Sequence, residues 1–129
     1  MQTQEVIEKA VEAYAGGDTA ALDALLDEDL RYRINGQPDC GKFTCDVTGK
    51  AAFYDAVGGI LARWEITGYQ IVDLIVSGER AAAQVAHGAT HKETGRQFET
   101  RLALFLAVRD GRITEIVEYH DSAALAREA

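Results

Sequence analysis

The sequence predicts an α+β domain: helices packed on one face of a curved antiparallel sheet. Three observations carry this. Apolar residues recur at helical spacing through roughly the first quarter of the chain, and again after residue 50. From Trp64 onward the chain turns into long strand-like runs broken only by short Gly-bearing turns. No repeat, low-complexity tract or linker separates the two parts, so residues 1–129 make one domain, long enough to bury a single core.

The first helix is predicted over 4–15, where Val6, Ile7, Ala10, Val11 and Tyr14 form one stripe and Glu5, Glu8, Lys9 and Glu12 lie opposite. Gly16-Gly17 stops it, and Asp18 caps a second helix over about 18–28 that buries Leu22, Leu25 and Leu26. A short strand follows from Leu30 to Ile34, with Tyr32 on its apolar side and Arg31 and Arg33 outward. Asn35 to Gly49 reads as a surface loop with a short strand near Phe43. Lys50 to about Ala62 returns to helical spacing through Phe53, Ala56, Val57, Ile60 and Leu61, weakened by Gly58-Gly59. Four strands close the chain: Trp64–Val76, Arg80–Lys92, Phe98–Val108 and Arg112–His120. Their connections are short, which makes neighbours antiparallel. Asp110-Gly111 between apolar runs is a strong hairpin signal, because both turn positions need positive φ.

Composition bounds the function. The net charge is −8, and the first 29 residues hold eight acids against Lys9 alone. An acidic helical layer repels phosphate backbones and anionic lipid, so neither nucleic acid nor membrane is expected as a partner. There is no apolar run long enough to span a bilayer and no basic leader, so a cytoplasmic location is expected. Cys40 and Cys45 share one polar loop and read as free thiols. His87 and His91 share a strand face, but their spacing sets them about 13 Å apart, too far for one ion, so no metal site and no cofactor are expected.

The most informative stretch ends the sheet: Glu118-Tyr119-His120-Asp121 puts carboxylates, a phenol and an imidazole at the rim of whatever the sheet encloses. His120 and Asp121 point opposite ways on a regular strand. Asp121 precedes a possible helical turn from Ser122 to Arg127, and capping that turn is its plainer role. The plainer role of His120 is a hydrogen-bonded rim histidine, although imidazole is the side chain best suited to proton shuttling near neutrality.

The order of elements, with Ala13-Tyr14-Ala15-Gly16-Gly17-Asp18, Leu30-Arg31-Tyr32-Arg33-Ile34-Asn35-Gly36, Gly49-Lys50, Arg109-Asp110-Gly111-Arg112-Ile113 and Glu118-Tyr119-His120-Asp121, resembles the NTF2-like superfamily, and especially its SnoaL-like polyketide cyclase branch. The resemblance implies a cone-shaped domain whose sheet wraps the third helix around a deep apolar pocket, and homodimers paired through the outer sheet face. Members range from cyclases and ketosteroid isomerases to binding domains, so the fold leaves the activity open. The positions that carry the isomerase base, tyrosine and protonated aspartate align with Arg33, Ala10 and Leu104, which disfavours steroid isomerisation. Arg101, the candidate arginine of an epoxide hydrolase relay, alternates away from Leu102, Leu104 and Leu106 and lacks flanking acids.

In the cyclases a late aspartate serves as acid/base, and Asp121 falls near that place beside His120. By the same alignment His120 looks inward with Glu118 and Ile116. Small residues at Ala82, Ala86, Gly88 and Thr90 would leave room for a ligand on the concave face, with Gln84 as an orienting amide. They equally allow close helix packing. Tyr14, Tyr32, Phe53, Tyr54, Trp64, Leu104 and Glu118 are the remaining candidates for the ligand wall, although aromatic residues of this kind are more often plain core. The expectation is a SnoaL-like homodimer binding a small apolar, carbonyl-bearing molecule, with Asp121 and His120 as candidate proton-transfer residues. The alternative is a non-catalytic ligand-binding or protein-interaction domain of the same fold.

Overall fold

The computed structural model describes residues 1–36 and 44–123. Cys40, the expected strand near Phe43 and most of the expected turn after Asp121 lie outside the described residues. The elements run α1 (Thr3–Ala15), α2 (Thr19–Ala24), β1 (Leu26–Asn35), β2 (Cys45–Thr48), α3 (Lys50–Arg63), β3 (Trp64–Ser77), β4 (Arg80–His91), β5 (Gln97–Arg109) and β6 (Arg112–Tyr119). The strands form a single six-stranded sheet in the order β2-β1-β6-β5-β4-β3. β3 to β6 are an antiparallel meander, and β1 joins β6 in parallel with Tyr32 opposite Ile116 and Ile34 opposite Glu118.

The hairpins follow from local chemistry. Asp110 and Gly111 adopt φ of 53° and 76°, the pair of left-handed residues that the tight β5–β6 turn requires. Irregular pairing between Ile66 and Gly68, between Ile71 and Asp73, and between Ala107 and Val108 interrupts the ladders. Extra residues of this kind bend and twist a strand, and here they curl the sheet over the helices without closing it.

One expected element ends differently. α2 stops at Ala24, and Leu26 already pairs with Ile113 in the sheet. Ile113 N–H donates to the Leu25 carbonyl at 2.8 Å, and Asp27 accepts from Asp29 N–H at 2.9 Å. Asx-type bonding of this sort competes with helix, so Asp27-Glu28-Asp29 forms an irregular break in β1 and not a last helical turn. Asp18 caps α2 by accepting from Ala21 N–H at 3.1 Å.

The core lies between the concave sheet face and α1 and α3. Val6, Ile7, Leu26, Leu30, Val85, Leu102 and Ile113 are fully enclosed there, each contributing about 1.5–3 kcal/mol of apolar burial. A satellite cluster of Trp64 and Ala89, packed against Ile60, Ile66 and Phe98, fills the end of the sheet near the β4–β5 turn. On the convex face, the paired residues Ile75, Ala82, Phe105 and Val117 form a row across four strands, and Ile75 and Phe105 are 65% and 45% exposed. Beside it Arg31 makes a two-pronged contact with Asp46 at 3.0 and 3.2 Å. That pair is half exposed, so solvent screens it and it adds little to stability.

Candidate active site

Between α1, α3 and the sheet lies a cavity of about 80 Å³ with a mainly apolar wall. α1 presents Ile7, Ala10, Val11 and Tyr14, one stripe at helical spacing. α3 adds Phe53, Val57 and Ile60, and the strand period of two brings Leu104 and Leu106 from β5 to the same face. An open groove of about 400 Å³ shares Tyr14, Leu22, Phe53, Val57 and Ile66 with the cavity and leads into it from solvent. A smaller void of about 30 Å³ adjoins the cavity and shares Ile60, Ile66, His87 and His120 with it.

The polar groups converge on one carboxylate. β6 carries Ile116 and Glu118 on its inner side, His120 follows just past the strand's end on the same wall, and Glu118 is the one acidic residue among the described residues of the cavity wall. Its Oε1 lies 2.7 Å from His120 Nε2, and its Oε2 accepts from the Tyr32 hydroxyl at 2.9 Å. The Glu118 and His120 side chains are only 12% and 10% exposed. A carboxylate has no proton to give, so His120 Nε2 carries the hydrogen and Nδ1 is left to face other groups. Burial, and then the Glu118 charge, push the Tyr14, Tyr32 and Tyr69 hydroxyls above the ordinary phenol range, so all three stay protonated donors.

Aromatic rings line the cavity in edge-to-face contacts. Tyr14 meets Tyr69 at 4.8 Å, Tyr32 meets Phe53 at 4.9 Å, and His87 lies 5.6 Å from Tyr69 and 5.7 Å from His120. Burial, with the neighbouring His120, lowers the His87 pKa to about 4, so this imidazole is neutral at physiological pH. Among the described residues neither His87 Nδ1 nor His120 Nδ1 has a hydrogen-bond partner, although both are buried. Leaving such an atom unsatisfied costs about 1–3 kcal/mol.

A family model of the SnoaL-like domain matches residues 7–116. The chain belongs to the SnoaL-like domain family. Solved structures agree on its NTF2-like fold. An NTF2-like protein from Burkholderia pseudomallei superposes with a TM-score of 0.87 at 17% identity, over 97% of this chain and 95% of that one. A candidate isomerase from Rhodopseudomonas palustris is 25% identical over 93% of this chain and 89% of that one, with a TM-score of 0.77. A candidate polyketide cyclase from Xanthomonas campestris is 23% identical over 97% and 94%, also at 0.77. No protein with curated annotation matches the sequence. No helix among the described residues is long and apolar enough to cross a membrane.

Within this SnoaL-like domain, the residues singled out from sequence separate into two groups. Tyr14, Tyr32, Phe53, Leu104, Glu118 and His120 come together on the cavity wall. Trp64 stands outside it, lining the entrance groove and the smaller void. Gln84 is on the convex face, where its amide oxygen accepts from Arg101. The inner face of β4 carries Ala81, Ala83, Val85, His87 and Ala89 instead, because Val85 is enclosed in the core and fixes the parity of the strand. Asp121 lies beyond the end of β6 and is exposed, so the strand reaches the cavity with His120 and leaves it at the next residue.

Two cavity residues were missed. His87 was grouped with His91 as a poor metal pair, although its shared parity with Val85 was the available signal. Tyr69 was not singled out at all. His91 faces the β4–β5 turn, where its Nδ1 accepts from the Glu93 and Thr94 amides at 3.3 and 3.2 Å.

Proposed function

We infer that this SnoaL-like domain binds a small apolar carbonyl compound and moves a proton on it without a cofactor, with His120 as the acid/base group and Glu118 orienting it. The single observation that supports this most is the 2.7 Å Glu118–His120 contact on the wall of an otherwise apolar cavity. Proton-transfer sites pair a reactive imidazole with a carboxylate that fixes its tautomer and stabilises the imidazolium. In the proposed step, His120 Nδ1 takes a proton from the carbon beside the carbonyl. The C–H pair becomes a C=C bond, and the carbonyl pair moves onto oxygen as an enolate. The imidazolium then returns the proton to the same molecule at carbon or oxygen, so there is no net oxidation. Tyr32 supports the step by donating to the other Glu118 oxygen. Asp121 and Gln84 are left out of this reading because both are exposed away from the cavity.

The test is exchange of the α-protons of cyclohexanone in D2O, followed by proton NMR. The wild type is expected to exceed the buffer rate, His120→Ala to fall to that rate, and Glu118→Gln to lie between. Wild-type exchange at the buffer rate removes catalysis from the account. A non-catalytic binding domain is the second reading, favoured by the cavity's modest volume and its aromatic wall. The exposed row of Ile75, Ala82, Phe105 and Val117 supports a further part of the proposal, that two copies pair through the convex sheet face.

A further inference from the structure

The small void adjoining the cavity has an unusual wall. Ile34, Ile60, Ile66, Ala89, Phe98 and the Trp64 ring surround it, and into it project the only two histidines of the cavity, His87 and His120. Their rings stand 5.7 Å apart at 70°, and each keeps a buried Nδ1 without a partner among the described residues. Two orphaned nitrogens beside one void are a built recognition site, since buried polar groups otherwise find partners. At about 30 Å³ the void is the smaller of the two spaces and suits one protruding polar group of a ligand, not its body.

We propose that this void is the oxygen subsite of the cavity: His87 donates a hydrogen bond to a ligand's carbonyl oxygen there, while the ligand's apolar body extends past Tyr14, Tyr32 and Phe53 through the chamber and into the adjoining groove. The assignment rests on the binding reading given above, and it deepens that reading by fixing which group of the ligand meets the histidines. The geometry gives each histidine a separate task. His120 is tied through Nε2 to Glu118 and offers Nδ1 as a proton acceptor. His87 makes no ion pair and, being a neutral ring, has one N–H to give. A neutral donor holds a carbonyl oxygen and strengthens its hold as that oxygen gains charge, without itself losing a proton. The ligand class that fits has a compact apolar body and one protruding oxygen. A carboxylate would bring a full charge, and no Lys or Arg among the described residues lines the void to meet it.

The test compares cyclohexanone with methylenecyclohexane, which has the same shape but a CH2 group in place of the oxygen. Binding to the full chain is read by NMR titration. The wild type is expected to bind the ketone about tenfold more tightly, the worth of one buried hydrogen bond to an otherwise unsatisfied group. In His87→Leu that ratio is expected to fall to about one. The same experiment reads the side-chain nitrogen shifts of His87 in the wild type, which are expected to move with the ketone and not the alkene. This second readout holds even where the variant does not fold. Equal wild-type affinity for both probes, or His87 nitrogens unmoved by the ketone, overturns the subsite and leaves the chamber as a ligand site. Binding of neither probe overturns the subsite and the binding reading together.

Discussion

Burying His87 as a neutral ring makes the domain acid-sensitive in a defined window. In the unfolded chain this histidine titrates near its ordinary value of 6.5, whereas in the folded protein burial lowers its pKa to about 4. Between those values the unfolded state binds a proton that the native state refuses, so stability falls as the solution is acidified. The full stability is present above pH 6.5, begins to drop as the pH falls through 6.5, and reaches its loss near pH 4. Each pKa unit is worth 1.36 kcal/mol, which makes the whole effect about 3 kcal/mol, a large share of the 5–15 kcal/mol typical of a domain. Asp23 and Asp46 are held below the ordinary carboxylate range, Asp23 chiefly by Tyr54 and Asp46 by Arg31. Their contributions disappear only at lower pH, as each carboxylate takes up its proton. Urea unfolding of the wild type and of His87→Gln at several pH values from 7.5 to 4 isolates the histidine, because the carboxylates act equally in both proteins. The wild type is expected to lose about 1.4 kcal/mol per pH unit more than the variant across the window. Parallel profiles would show that His87 is not desolvated, and the electrostatic description of the cavity would fail with it.

Three other outcomes follow from the same geometry. Tyr32→Phe removes the 2.9 Å donor to buried Glu118 and is expected to cost about 1.5–3 kcal/mol in urea unfolding, as for hydrogen bonds to charged groups; a loss under 0.5 kcal/mol would mean the carboxylate is solvated. Gly111→Ala forces a side chain onto φ of 76° in the tight turn, and thermal unfolding is expected to report a loss of about 1–2 kcal/mol. Phe105→Lys places a charge in the middle of the exposed convex row and is expected to turn a dimer into a monomer by light scattering; a wild type that is already monomeric refutes the pairing.

Most of the fold was legible because its signals are local. The Asp110-Gly111 turn, the amphipathic stripe of α1 and the short meander connections each have one structural solution. The start of β1 was not legible. Leu25 and Leu26 continue a helical pattern, and only the distant backbone of Ile113 draws Leu26 into the sheet. On β4 the periodicity carried almost no contrast, since alanines occupy both faces. Gln84 and His87 therefore exchanged their expected places, and the enclosed Val85 was the residue that could have decided between them. The EYHD terminus was read correctly as the polar end of the sheet, but its reach was not. Strand alternation brings Glu118 and His120 inward, and the strand ends at Tyr119, which releases Asp121 to the surface. The pairing of Glu118 with Tyr32 depends on the parallel contact between β1 and β6, which joins the two ends of the chain and has no short-range signature.

The most direct measurement is a methyl and imidazole NMR titration of the wild-type protein with cyclohexanone. The account predicts shifts concentrated at Ile7, Ile60, Ile116 and His120, which enclose the chamber, with Ile75 on the convex face unmoved. Saturable binding whose shifts fall on the convex sheet face, or no saturable binding at all, would contradict it.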